Sequence, residues 1–433
     1  MNAEVPPAAG DPESDFTAQA RAAGIVLPKK SRADPWEVLV IVVALLVLTA
    51  GIGQLTGWVN LRTGPATNGG GFQTQSCAGT QVVTVGSVSS AIDPEFTSWL
   101  GESAQEMDAS VGGCFDLEVN STPGDGYVPP LGGGHSEFAA TYATPTAAES
   151  RALPTPIVVV PVSLTAIAVV YNLPGVPTGL NLTAATLAGI YLGTITSWDA
   201  PVIAQLNPGA SLAGAPSIAP VHISGETVAN DVVTQYLARG NSTWNGSVGQ
   251  GLSVAWPTGA AVATDAAMLA EVSATPGAIG YLQIFGAPPS GVGCAELEDI
   301  AGGFVSPNAA TTWAAATSLA GSPAVTAGNW SNFSLEAASA AYSYPLSVLS
   351  YLGIYRDLGV AYGGSLSVTS ATWLLTFVYW LTTGALALAP LPSAYATEAL
   401  GILNNETYDG TPIVHLENEN GENGESGGET GEF

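Results

Sequence analysis

Apolar positions recur along this chain in two rhythms. VVTVGSV (82–88) and FDLEVNS (115–121) are short apolar or alternating runs with the length and composition of strands. PIVVVPV (156–162) and AIAVVYNL (166–173) are two further β-branched runs, and SIAPVHIS (217–224) is a strand candidate. Between these lie segments with helical spacing. PEFTSWLGESAQEM (94–107) repeats Phe96, Trp99, Leu100 and Met107 along one face. TAATLAGIYLG (183–193), TVANDVVTQYLARG (227–240) and DAAMLAEVSAT (265–275) predict helices, the second ending at a glycine stop, and PGAIGYLQI (276–284) predicts a turn and a strand. Strands alternating with helices imply an α/β fold with a mainly parallel sheet.

Two apolar stretches are much longer. Val38 to Leu61 carries no charge, and its heart is LVIVVALLVLTAGI, Leu39 to Ile52. A helix crosses a bilayer with about 20 such residues. Trp36 and Trp58 stand at its ends, and Lys29, Lys30 and Arg32 precede it. That pattern predicts a transmembrane signal-anchor over 36–58, with the N-terminus cytoplasmic and the main domain extracytoplasmic. A cleaved signal peptide is the rival reading; its leader would be long, and no clear A-x-A site follows. The second stretch, Thr372 to Ala389, reads either as a helix packed inside a domain or as a second span. Around these, 1–35 reads as a polar cytoplasmic tail, 59–80 as a Gly/Thr-rich tether, and 406–433 as an acidic disordered tail.

Charge narrows the function. The chain has 8 Lys and Arg against 35 Asp and Glu. Beyond the first apolar run the only bases are Arg62, Arg151, Arg239 and Arg356. Nucleic-acid binding is excluded, because a phosphate backbone needs a basic face. An outer domain poor in bases suits a strongly acidic medium, where neutralised carboxylates leave the bases to repel one another. An ordinary acidic secreted protein has the same composition.

Candidate chemistry is sparse. Cys77 and Cys114 flank one short stretch outside the membrane and form a disulfide candidate, leaving Cys294 as a buried thiol. His135, His222 and His415 make no metal spacing. No nucleophile elbow, P-loop or metalloprotease motif is present, so no enzyme and no cofactor are expected. N-x-S/T sequons at Asn120, Asn181, Asn241, Asn245, Asn329, Asn332 and Asn405 suggest a glycoprotein.

One region carries a specific resemblance. YNLPGV (171–176) leads into LNLTAATLAGIYLGTITSWDAPVIAQLNPGASL (180–212). This resembles the phosphate-binding (PstS-like) substrate-binding proteins of ABC transporters in the spacing of Leu182, Leu187, Ile190, Gly193, Ile195, Trp198, Pro201, Ile203, Asn207, Pro208 and Gly209. Further pieces follow in family order to APLP (389–392), so the likeness spans roughly 82–403. The resemblance implies a two-lobed periplasmic-binding-protein (type 2) fold with two hinge crossovers, preceded here by the transmembrane helix. Lobe 1 would be 81–162 with 286–405, and lobe 2 would be 163–285. It also implies that the second long apolar stretch is a packed helix. The partners implied are a small polar solute, phosphate in the family, and an ABC permease. A non-transport structural or sensory protein reusing the fold is the alternative.

The family's ligand loops map onto Ser89 and Ser90, onto Gly124, onto Thr141 and Tyr142, and onto Ser224 and Thr227. The charge logic departs from the family at several of these loops. Asp125 stands beside Gly124, no carboxylate occupies Thr141 or Tyr142, and the arginine position falls on Ile223 with Glu226 close by. The helix after the second loop is also in question, because Pro129, Pro130 and Gly132–Gly134 follow. The expectation is a hydroxyl-lined cleft for a neutral polar ligand, or for an anion held without an ion pair.

Overall fold

The computed structural model describes residues 70–71, 81–89, 92–93, 96, 114–122 and 126–413, apart from 177, 286–287, 327–329, 331–332, 336–337, 339 and 384–387. The expected anchor, the N-terminal tail and nearly all of the tether lie outside these residues, as do 414–433, Cys77 and nearly all of the predicted helix 94–107. Residues 406–413, expected as the start of a disordered tail, instead carry the paired strands Thr407–Tyr408 and Thr411–Pro412. Among the described residues no helix is long and apolar enough to cross a membrane.

One mixed sheet organises the fold. Its strands are β1 (Gly70–Gly71), β2 (Gln81–Ser89), β3 (Cys114–Thr122), β4 (Phe138–Thr141) and β5 (Ile157–Tyr171). After the two-residue β6 (Asn181–Leu182) come β7 (Ala219–Ile223), β8 (Ala260–Val262) and β9 (Ala278–Ile284). Later in the chain are β10 (Gly293–Cys294), β11 (Glu296–Glu298), β12 (Phe304–Val305) and β13 (Ser347–Tyr355). The spatial order is β1-β3-β2-β4-β13-β5-β9-β7-β8, with β10 pairing on β5, and β6, β11 and β12 form a separate small sheet. The outer groups β3-β2-β4 and β9-β7-β8 are parallel, whereas β13 and β5 run antiparallel to their neighbours.

β5 joins the two halves. Its first part pairs with β13, and Ala166 to Tyr171 pair with β9. The sequence pattern reads as two strands here because Pro161, Ser163 and Thr165 interrupt it. The structure has one strand. The β13 register slips between Ser350 and Tyr351, so that Pro161 sits at the irregularity, where a missing N–H is tolerated. The polar side chains are paired instead of exposed: Ser163 with the Ser350 hydroxyl, and Thr165 with Gln283.

Helices cover the sheet. Val368–Thr383 packs on β2 and β5 and buries Trp373, Leu374, Leu375, Phe377, Val378 and Leu381. Its apolar middle is enclosed by the sheet, so this stretch is the packed helix that the resemblance implied. Val128–Leu131 forms one helical turn in spite of its prolines. They occupy the first turn, where no N–H is required, and Gly132 follows it directly. Trp198 anchors the motif-rich region. It is fully buried, and its indole N–H donates to the Gly277 carbonyl at 3.0 Å. Cys294 is buried and free, and burial pushes its thiol up to about 12.

Candidate functional site

The two halves of the sheet meet at the paired strands β5 and β13, and a cavity of about 160 Å³ opens beside them. Ile167 and Val348 come from these paired strands, Tyr142 from the end of β4, and Ile223 from the end of β7. Two helix starts complete the wall. One is Thr227, Val228 and Ala229; the other is Thr264, Asp265 and Ala266. A second cavity of about 520 Å³ shares Tyr142, Val228 and Val348 and extends past Asp231, Gln235 and Gln250.

Local sequence explains why both helix starts face this space. Each helix follows a strand of the parallel group, so its N-terminus lies at the strands' carboxyl ends, where α/β sheets place their ligands. Thr227 caps Val228–Gly240 by accepting the Asn230 amide at 3.1 Å. Thr264 caps Asp265–Ala274 by accepting the Ala267 amide at 3.2 Å. Each threonine keeps its O–H to donate. The first-turn amides of Val228, Ala229, Asp265 and Ala266 precede the first intrahelical bonds and have no acceptor within their own helices. The loop before Thr227 is pinned by Asn230. Its buried side-chain amide donates to the carbonyls of Ile223, Gly225 and Leu252, and its oxygen accepts the Tyr281 hydroxyl. Gly225 there has φ of 90°, a left-handed turn suited to glycine.

The predicted residues divide. Tyr142 and Thr227 lie in the cavity wall, and Ile223 joins them, putting an aliphatic side chain where the family resemblance puts an arginine. Ser89 and Thr141 end neighbouring parallel strands and are buried, with Thr141 Oγ1 accepting the Ala143 amide at 3.3 Å; neither lines these cavities. Ser224 is exposed and donates to the Val262 carbonyl at 3.0 Å. Ser90 and Gly124 lie outside the described residues. His222 stacks on Trp256 at 5.1 Å, and burial lowers its pKa.

Asp265 is the residue that the sequence pattern does not reveal. Its carboxylate accepts the Gln283 amide at 3.2 Å, and Gln283 Nε2 donates to Thr165 on β5 at 2.7 Å. Burial pushes its pKa up to about 6, against the pull of that amide. In sequence, Thr264-Asp265 reads only as ordinary helix-start chemistry. Among the described residues no Lys, Arg or His lines either cavity. Arg356 lines a separate cavity of about 560 Å³, with Ser150, Thr155 and Trp330.

The mixed α/β architecture is that of a periplasmic-binding-protein fold, and the comparisons agree. The PBP superfamily domain matches residues 74–384, so the chain belongs to the PBP superfamily. Its relatives include the phosphate-binding protein PstS of Pasteurella multocida, 39% identical over 148 residues, covering 34% of this chain and 43% of that protein. The PstS of Methanocaldococcus jannaschii is 29% identical over 227 residues, covering 50% of this chain and 58% of that one. The chain thus spans about half the length of these relatives. Among solved structures, a human phosphate binding apolipoprotein aligns with a TM-score of 0.52 at 16% identity, over 73% of this chain and 93% of that one. A DING protein aligns at 0.51 with 15% identity and the same coverage. These two show the fold.

Proposed function

We propose that this chain is an extracytoplasmic solute-binding protein that presents a small polar ligand to an ABC permease. The cavity beside the β5–β13 pair carries this reading: both halves of the fold and two helix starts converge on one space large enough for a small molecule. Lobe 1 is 81–162 with 286–405, and lobe 2 is 163–285. The helix over 36–58 holds the protein at the membrane with its N-terminus inside, and no catalysis is involved. The relatives named for phosphate support an oxyanion-binding ancestry. Ile223 in the arginine position, and two cavities without a lining base among the described residues, support a ligand that differs from the phosphate dianion.

Isothermal titration of the full chain with phosphate, arsenate and other oxyanions, at neutral and acidic pH, tests this. Heat from at least one of them is expected. Silence throughout removes oxyanions from consideration and favours a surface protein reusing the fold. Membrane fractionation checks the anchor: removing residues 1–58 should move the chain to the soluble fraction. Among the described sequons, Asn245 is exposed, whereas the Asn181 side chain donates to the Leu206 carbonyl at 3.1 Å. A glycan is expected on the first rather than the second.

A further inference from the structure

Among the described residues, and apart from the Tyr142 phenol, Asp265 is the one ionisable side chain lining the cavity beside the β5–β13 pair. Besides Gln283, whose side-chain amide is already given to Thr165, the polar groups there are donors or can become donors: the hydroxyls of Thr227 and Thr264 and the first-turn amides of two helices. Helix starts that converge favour negative charge. An ionised Asp265 opposes it, and no lining base offsets the conflict. Two negative charges held close together in a partly dry site repel strongly, and one of them is neutralised by a proton.

We propose that the cleft takes up a small oxyanion together with one proton, which rests on the Asp265 carboxyl, so that ligand and carboxyl are not both charged. The proton comes from solvent and returns to it on release. No bond other than O–H forms or breaks. Once protonated, Asp265 turns from an acceptor that repels the ligand into a donor that binds it.

The surroundings of Asp265 leave it as the group that titrates with the ligand. Its helix packs on β9, β7 and β5. From β9 the facing groups are Gln283, which donates to it, and the Tyr281 hydroxyl, which donates to Asn230. On β7 the His222 ring is turned onto Trp256. β5 carries no Asp, Glu, Lys, Arg or His. From the other helix start, Asp231 lines the adjoining cavity and accepts Gln235 Nε2 at 2.6 Å, and Glu226 is exposed. Burial already holds the Asp265 proton up to about 6 before any ligand arrives.

The inference rests on the receptor reading and adds to it the carboxyl and the proton. The test titrates the full chain and its Asp265→Asn variant with inorganic phosphate, and then with sulfate, from pH 5 to pH 8. The ratio of the two affinities cancels the protonation of phosphate itself. At pH 5 the two proteins should agree within a few-fold. Above about pH 6 the parent should lose affinity relative to the variant by about tenfold per pH unit. A ratio independent of pH, or a variant weaker at every pH, overturns the proposal while leaving the receptor reading intact. Calorimetry of the unmodified chain in buffers of different ionisation enthalpy gives a readout that needs no variant. Uptake of close to one proton at pH 7.5, beyond that taken by phosphate, is expected; none overturns it. Silence with both anions at pH 5 also overturns it, whereas heat from a neutral polyol would still support a receptor.

Discussion

Gly86 lies within β2, where the Phe138 ring occupies the space that a side chain would fill. Gly86→Ala therefore pushes a methyl group into that ring and should cost about 1–3 kcal/mol in denaturant unfolding. Asn230 is a second residue whose role shows only in three dimensions. Asn230→Ala removes its bonds to three carbonyls and leaves the buried Tyr281 hydroxyl without its acceptor, a loss of about 2–4 kcal/mol. Because those bonds hold the loop before Thr227, the variant should also bind ligand more weakly at a temperature where it remains folded. Glu406 is a third such residue. It is fully buried, and neither carboxylate oxygen has a hydrogen-bond partner among the described residues. Burial pushes its pKa up to about 8, with Arg356 pulling it down and Asp357 raising it. Sequence placed Glu406 at the start of an acidic tail, since nothing in its spacing announces that a charged side chain is enclosed.

At the scale of elements, most of the α/β order was legible. Thr183, Thr227 and Thr264 each cap a helix that begins at the next residue, as local start chemistry requires. The helix Val368–Thr383 was ambiguous by composition, because an enclosed helix and a membrane span are both apolar all round. Phe377 shows which it is: its ring packs 5.6 Å from Phe138. Phe377→Ala should cost about 3–5 kcal/mol, which a melting series can check. Along the sequence β5 reads as two strands, because Pro161 and two hydroxyl residues break the apolar run. A register slip and cross-strand partners absorb these interruptions, and neither can be seen along one strand. The same limit hid half of the cavity. Tyr142 and Thr227 were found through family loops, but Asp265 becomes a site residue only when β8, β9 and the β5–β13 pair bring its helix start to them.

Across the whole molecule, buried acids tie stability to pH. Burial raises Asp265 to about 6 and Glu137 to about 7. Together with Glu406 these groups hold protons more tightly in the fold than in the unfolded chain. Their contribution is therefore complete below about pH 4 and is lost progressively as pH rises toward 8. The melting temperature should be higher at pH 5 than at pH 8, and Glu406→Gln should remove part of that difference by raising the value at pH 8 by a few degrees. An acid-favouring fold suits a domain nearly devoid of bases, and it suits a ligand taken up with a proton. The most direct test of that account is to locate the ligand. Crystals of the full chain grown with arsenate at pH 5 should show one anomalous peak between the hydroxyls of Thr227 and Thr264, within hydrogen-bonding distance of Asp265. An empty cleft, or a peak confined to the separate cavity beside Arg356, would contradict it.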